Sequence, residues 1–462
     1  MKSIYLSAIA GLISLASCQL QGQDKPSNQN PYEASPYVKL EHPEWSKNAT
    51  IYEANIRQFT EEGTFKAFEE HLPRLKKMGI DIIWLMPIHP IGEKNRKGEL
   101  GSYYAVKDYY AVNPEFGTMD DLKSLVKKIH DMDMHVIIDW VGNHSAWDNK
   151  LTEEHPEWYT RDHNGEFRPT PWYDWDDIID FDYEQEGIRE YMTGALKFWV
   201  EEADIDGYRC DVAGFMPTDF WDQVRKELDE IKPVFMLAEW ESRDLHQHAF
   251  DMTYSWSLYE KLHETALGHK TVNQGLYEYF AHHENTFPEN AYRMNFVDNH
   301  DKNSWEGTMF SQFGKALDAS IVLTCVADGM PLVYTGQEAG MDKQLKFFDK
   351  DIVEWKDSKY ADLYTKLFEL KHKNKSLWNG KYGGEMIAVV HDKPKSVLAF
   401  TREKDGDKVF VAFNFSDKEQ KAQLSGNNQY GDYTDYFSGE KVSFKGGESL
   451  TIPAYGYKVF VK

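Results

Sequence analysis

Four runs place ionisable side chains at the ends of apolar stretches: Asp139-Trp-Val-Gly-Asn-His144, Gly207-Tyr-Arg-Cys-Asp211, Leu237-Ala-Glu239-Trp240 and Phe296-Val-Asp-Asn-His300-Asp301. In the second run Arg209 and Asp211 stand two apart, so on a strand both side chains project to the same face. A guanidinium beside a carboxylate keeps it ionised, the state that a carboxylate nucleophile requires. Glu239 has the opposite surroundings. It ends the run Val-Phe-Met-Leu-Ala and is followed by Trp240, an apolar setting that disfavours the charge and suits a general acid. Two carboxyl groups whose environments push them apart are what cleavage of a glycosidic bond by acid plus nucleophile needs. One such pair alone could be a structural ion pair or a capped strand end; four charged strand ends together argue against that reading.

The elements that would carry these groups alternate. From Ala49 to about Leu377, short apolar runs interleave with helix-period stretches, the pattern of a parallel sheet. The expected strands are Thr50–Ala54, Asp81–Met86, His135–Trp140, Gly207–Val212, Val234–Glu239, Phe250–Tyr254, Arg293–Val297 and Met330–Tyr334. Eight strands with intervening helices predict a closed (β/α)8 barrel, in which catalytic groups sit at the C-terminal strand ends. The spacing of apolar residues predicts helices over Phe65–Met78 and Asp120–Met132. A long excursion after the third strand, residues 145–182, is crowded with Trp147, Trp158, Trp172, Tyr173 and Trp175, and connections of that length are usually functional. The barrel then comprises 39–144 and 183–376. After about Trp378 the runs Glu385–His391, Ser396–Thr401, Lys408–Phe415, Lys421–Leu424 and Tyr455–Val461 predict an antiparallel β-sandwich over 377–462, with a packing rather than a catalytic role.

Composition excludes several classes. With 41% hydrophobic and 28% charged residues in 462, the chain is neither disordered nor a multi-span membrane protein. A net charge of −24 repels phosphates, so nucleic acid and anionic membrane surfaces are excluded as partners. Fourteen Trp and 27 Tyr suit ligands with a flat apolar face and a polar rim, such as sugar rings. At the N-terminus, Lys2 precedes an apolar stretch from Ile4 to Ala16, too short to span a membrane but long enough for a secretory signal. It ends Leu15-Ala16-Ser17-Cys18, which resembles the bacterial lipoprotein cleavage box. Residues 1–18 are therefore expected to be removed up to a lipidated Cys18, with 19–38 as a polar tether, giving an exported protein anchored to the cell envelope by lipid. Cys210 and Cys325 lie in apolar stretches and are expected to be buried free thiols.

The four charged runs, in this order, resemble the conserved regions of the α-amylase superfamily of glycoside hydrolases, and the resemblance extends from about Ala49 to the C-terminus. It implies Asp211 as nucleophile, Glu239 as acid/base and Asp301 as a third carboxylate that holds sugar hydroxyls. It also implies that Arg209 orients Asp211, that His144 and His300 bond the reacting sugar, and that Tyr104 stacks on it, with Tyr103 as the competing choice. Trp240, beside the acid/base, is taken as a further substrate contact, and Asp139 as structural support. The excursion corresponds to an inserted domain B and the terminal β domain to domain C. Many members hold calcium between barrel and domain B; Asn143 and Asp180 match two ligand positions, while Phe215 stands where a His carbonyl serves elsewhere. The implied activity is retaining, endo-type hydrolysis of α-1,4-glucosidic bonds in starch-like glucans or malto-oligosaccharides. Alternatives are a maltogenic or cyclodextrin-type hydrolase, a 4-α-glucanotransferase, or an inactive glycan-binding relative, the last of which would have lost a carboxylate.

Overall fold

Strands β1 Ile51–Ala54, β2 Ile82–Leu85, β3 His135–Trp140, β4 Gly207–Cys210, β5 Phe235–Ala238, β6 Met252–Tyr254, β7 Tyr292–Asn295 and β8 Met330–Tyr334 form a closed parallel barrel in the computed structural model, which describes residues 35–462. Each stands within two residues of its expected ends, and β3 and β8 match throughout. The ring closes where Ile51 pairs with Leu332 on one side and with Ile82 on the other. Helices cover the outside and side chains fill the inside, so the strands are buried on both faces and read as apolar runs rather than as alternation. The charged residues Glu53, Asp139 and Arg209, fully buried within those strands, are the exceptions that matter. Gly207 opens β4 at φ +147°, and a Cβ there would stand 1.9 Å from the Phe235 carbonyl oxygen, so only glycine lets β4 lie against β5 at this point.

The helix Met119–Asp131 begins with a capping box, Thr118 Oγ1 accepting from the Asp121 amide while the Asp121 carboxylate accepts from the Thr118 amide. The expected helix over Phe65–Met78 is instead two, Phe65–Glu69 and Leu72–Met78. Pro73 explains the break: it has no N–H to give the Glu69 carbonyl and its ring crowds that turn. The excursion after β3 is closed at its base by a two-stranded ribbon, His144–Ala146 against Ile178–Asp180, which sets His144 opposite Asp180. Cys210 and Cys325 are free and buried.

The C-terminal strands build a six-stranded antiparallel sheet, in the order Ile387–Ala388, Val397–Lys404, Asp407–Asn414, Tyr457–Val461, Gly431–Asp435, Lys441–Phe444, beside a three-stranded one of Val390–His391, Gln420–Ser425 and Ser449–Ile452. Val397, Ala399, Phe410 and Phe460 face the core between the sheets. Their neighbours Leu398, Phe400, Val411 and Val459 join the hydrophobic core of the barrel. The central strands of the larger sheet, Val397–Lys404 and Asp407–Asn414, are thus buried on both faces over most of their length and seat the sheet on the barrel. Arg402 seals the seam, its buried guanidinium donating to the carbonyls of Gly384, Trp378, Val326 and Ala327, which satisfies a charge that would otherwise be costly to bury. Among the described residues no helix is long and apolar enough to cross a membrane. Cys18 and the signal and tether expected around it fall outside the described residues, except for the last few of the tether.

Candidate active site

Arg209, wholly buried, is the hub. One terminal nitrogen, Nη1, donates to Asp139 Oδ1 at 2.8 Å and to Asp211 Oδ1 at 2.9 Å, and Nη2 lies 3.0 Å from Glu239 Oε2. Parallel pairing places these groups side by side, since Asp139 registers with Arg209 across β3 and β4, and Arg209 with Leu237 across β4 and β5. Asp211 and Glu239 then leave adjacent strand ends towards the same space. The Val212 amide donates to Glu239 Oε2 at 2.7 Å. Val212 adopts φ +37°, unusual for a β-branched residue, and this left-handed turn directs the amide at the acid/base.

Electrostatics act strongly on Glu239. Burial raises the Glu239 pKa to about 8; Arg209 opposes the shift, while Asp211 and Asp301 reinforce it. Glu239 thus holds its proton at neutral pH and can supply it. Asp211 has the Arg209 bond to stabilise its charge. His144 Nε2 stands 4.0 Å from Asp211 Oδ2.

A second chain of bonds runs round the other wall. Glu53, on β1 and fully buried, is hydrogen-bonded to His300 Nδ1. His300 Nε2 lies 2.9 Å from the Tyr104 hydroxyl and 3.3 Å from Asp301 Oδ1. Tyr104 in turn donates to Asp139 Oδ2 at 3.1 Å, and Trp84 Nε1 donates to the same oxygen at 3.2 Å. Burial pulls the His300 pKa down, but Asp301 and Glu53 outweigh it and carry it up to about 9. Burial and Asp139 push the Tyr104 pKa well above its ordinary value, so the phenol remains a donor. Protons therefore point one way, from imidazolium to phenol oxygen and from phenol to carboxylate.

Tyr104, His144, Asp211, Glu239, Trp240, His300 and Asp301 open on a cleft of about 730 Å³, with Arg209, Asp139, Glu53 and Trp84 buried behind them. The structure thus brings together every residue expected to catalyse or to contact substrate except Arg209, which lies behind Asp211 as its buried anchor. Tyr103 is turned away: its hydroxyl donates to Asn55 and its ring carries the Arg57 guanidinium. Trp240 packs against Phe215 with ring centroids 5.3 Å apart, and Gly214 lets it approach, since a Cβ there would meet the indole at 2.2 Å. Sequence reasoning passed over Glu53 and the aromatic wall of Trp305, Phe347 and Phe348, of which Phe347 lies parallel to Tyr104. The signal for Glu53 was present: a carboxylate inside the apolar run Ile-Tyr-Glu-Ala must find a buried partner.

Asn143 and Asp180 are joined directly, Asn143 Nδ2 donating to Asp180 Oδ1 at 3.1 Å, and Thr170 Oγ1 donates to the same oxygen at 2.5 Å. Calcium takes six to eight oxygen ligands, usually with several carboxylates. A single carboxylate whose oxygen already accepts two protein donors does not make such a cage.

The chain matches the family model of the α-amylase catalytic domain over residues 44–430. Its fold superposes with a TM-score of 0.83 on the crystal structure of the maltogenic α-amylase AmyB from Thermotoga neapolitana, at 31% identity and covering 90% of this chain and 99% of that one. An α-amylase from Lactobacillus plantarum gives a TM-score of 0.80 at 29% identity, with coverage of 90% and 99%. The α-amylase MalA of Haloarcula japonica is 26% identical over 440 residues, 90% of this chain but 62% of that protein's length. The matched model spans the whole barrel and all three carboxyl groups of the cleft, and on that ground the chain belongs to the α-amylase family and is a glycoside hydrolase.

Proposed function

We propose that the protein is a retaining hydrolase of α-1,4-glucosidic bonds in starch-like glucans or malto-oligosaccharides, acting within the chain. One observation carries the retaining mechanism: Asp211 and Glu239 share the two ends of a single guanidinium. That sharing supports a carboxyl gap of about 5–5.5 Å rather than the roughly 6.5–9.5 Å that admits a water between them. Asp211 attacks the anomeric carbon as Glu239 gives its proton to the leaving oxygen, so the glycosidic C–O bond breaks and a β-glycosyl ester forms. Glu239, now ionised, takes a proton from water, which attacks the same carbon and releases Asp211. Two inversions return the α configuration. Tyr104 would stack on the reacting sugar, with His144, His300 and Asp301 bonding its hydroxyls.

The test is proton NMR of the first product before mutarotation, together with trapping by a fluorosugar. The α-anomer and a label on Asp211 are expected, and Asp211→Asn should lose about 10³-fold or more in kcat. A β-anomer formed first would overturn the mechanism. A second reading, transfer to a sugar acceptor as in a maltogenic-type enzyme or a 4-α-glucanotransferase, is favoured by Phe215 and Trp240, whose apolar rings flank the acid/base and suit a sugar better than water. Product profiles on amylose, pullulan and cyclodextrins, with and without added maltose, separate the two. Export and lipid anchoring at Cys18 complete the proposal, with the box Leu15-Ala16-Ser17-Cys18 as their support.

A further inference from the structure

Trp172 is held where its own chain gains nothing from it. Thr170–Pro171–Trp172–Tyr173 is a β-turn closed by the Tyr173 amide on the Thr170 carbonyl at 3.4 Å. Proline occupies the second position, and the third, where such turns ordinarily take glycine, is Trp172 at φ +71°. A bulky residue in the left-handed region is conformationally disfavoured. Packing does not compensate, because the side chain is 102% exposed and, among the described residues, neither a ring contact nor a hydrogen bond engages it. The turn is nevertheless fixed at both ends. Thr170 is bonded to Asp180 of the ribbon, while Lys97 reaches the Asp174 carbonyl and pairs with Asp176 at 2.9 Å. The tethered turn therefore presents an indole to solvent.

The place of Trp172 in the chain points to its occupant. Tyr173, the next residue, is half exposed, lines the catalytic cleft and stacks on Trp175 with centroids 4.1 Å apart. Tyr173 also lies 6.0 Å from Phe215, which packs on Trp240 beside Glu239. An aromatic strip thus runs from the acid/base to Tyr173 of the inserted segment, and the exposed Trp172 is the adjacent residue of the chain. We infer that Trp172 is a remote binding platform for the α-glucan chain, engaging sugar units of a polymer that emerge from the cleft and having nothing to touch in a short oligosaccharide. This rests on the proposed glucan activity and adds a chain-length preference to it.

The experiment compares wild type, Trp172→Gly and Trp172→Phe on amylose and on a chromogenic maltotrioside. Glycine accepts the turn and removes the platform; phenylalanine retains a ring. The ratio of kcat/KM on amylose to that on the maltotrioside should fall about tenfold in Trp172→Gly, the size of one lost ring contact, and recover largely in Trp172→Phe. Relief of the disfavoured φ should leave the Tm of Trp172→Gly at or above that of wild type. An unchanged ratio overturns the inference, whether or not the variant alters self-association or binding to lipid vesicles. Equal losses on both substrates also overturn it. A wild-type protein that cleaves neither substrate would instead refute the glucan activity itself, so the two failures are distinguishable.

Discussion

Protonation is where single residues make the sharpest claims. Glu239 must carry a proton to act first as an acid, so kcat/KM should fall as pH rises through about 8, where burial has placed its pKa. The same shift affects stability with a definite sign. Between its ordinary pKa of 4.5 and the raised one, the unfolded chain gives up a proton that the folded chain retains, and stability falls as pH rises. Glu239→Gln should therefore melt higher than wild type at pH 7, with the gap closing towards pH 4; a gap of equal size at both pH values would count against a protonated Glu239. Glu53 acts through another residue. It faces His300 from β1, Asp301 follows on the same segment, and Arg209, Asp139 and Tyr104 complete the surroundings. Glu53→Gln removes one of the two charges that keep the imidazole cationic, so the 15N resonances of His300 should titrate well below 9, and kcat/KM at pH 7 to 8 should drop about tenfold. An unaltered His300 titration would reduce Glu53 to a packing role. These partnerships explain what was legible. Asp211 and Glu239 announce themselves through neighbours in sequence, whereas Glu53 and His300 meet across 247 residues and no local pattern encodes that pairing.

At the scale of elements, the barrel strands were legible because burial on both faces writes them as unbroken apolar runs. The helix over Phe65–Met78 misled, because its periodicity continues across Pro73 although the backbone cannot. The sandwich was legible only in part. Gly431–Asp435, Lys441–Phe444 and Ser449–Ile452 contribute one or two apolar residues each, on strands with an exposed face, and such runs look like loops. Glu385–His391 reads as one strand but divides, Ile387–Ala388 joining one sheet and Val390–His391 the other. Backbone contact between β4 and β5 supplies the prediction at this scale. Gly207→Ala drives a Cβ into the Phe235 carbonyl at a positive φ, and a loss of about 3 kcal/mol is expected in urea unfolding. Because β4 leads directly to Arg209 and Asp211, the folded fraction should also show reduced kcat. A stability change below about 0.5 kcal/mol would mean that the two strands are free to separate there.

For the whole molecule, the proposed anchor at Cys18 has to hold a chain whose net charge is −24. A chain that anionic lipid repels cannot rely on its surface charge to stay at a membrane, and a single acyl chain anchors weakly, so retention needs the diacylated cysteine of a lipoprotein. Wild type should partition with membranes and begin at a modified Cys18, and Cys18→Ala should be unprocessed or released. A soluble wild-type protein with an unmodified Cys18, or one that begins downstream of it, would refute the anchor. The closure of the barrel carries one more consequence, and it concerns time. β1 is completed only by β8: the Thr335 hydroxyl bonds the Glu53 carbonyl across 282 residues of chain. At synthesis rates of about 5–20 residues per second, the first strand waits roughly 15–60 s for its last neighbour to be made. Throughout that interval one edge of the nascent sheet is open, and Glu53 has no His300 to meet. A chain built this way remains unable to finish folding until it is nearly whole, which leaves it open for as long as the proposed export would need.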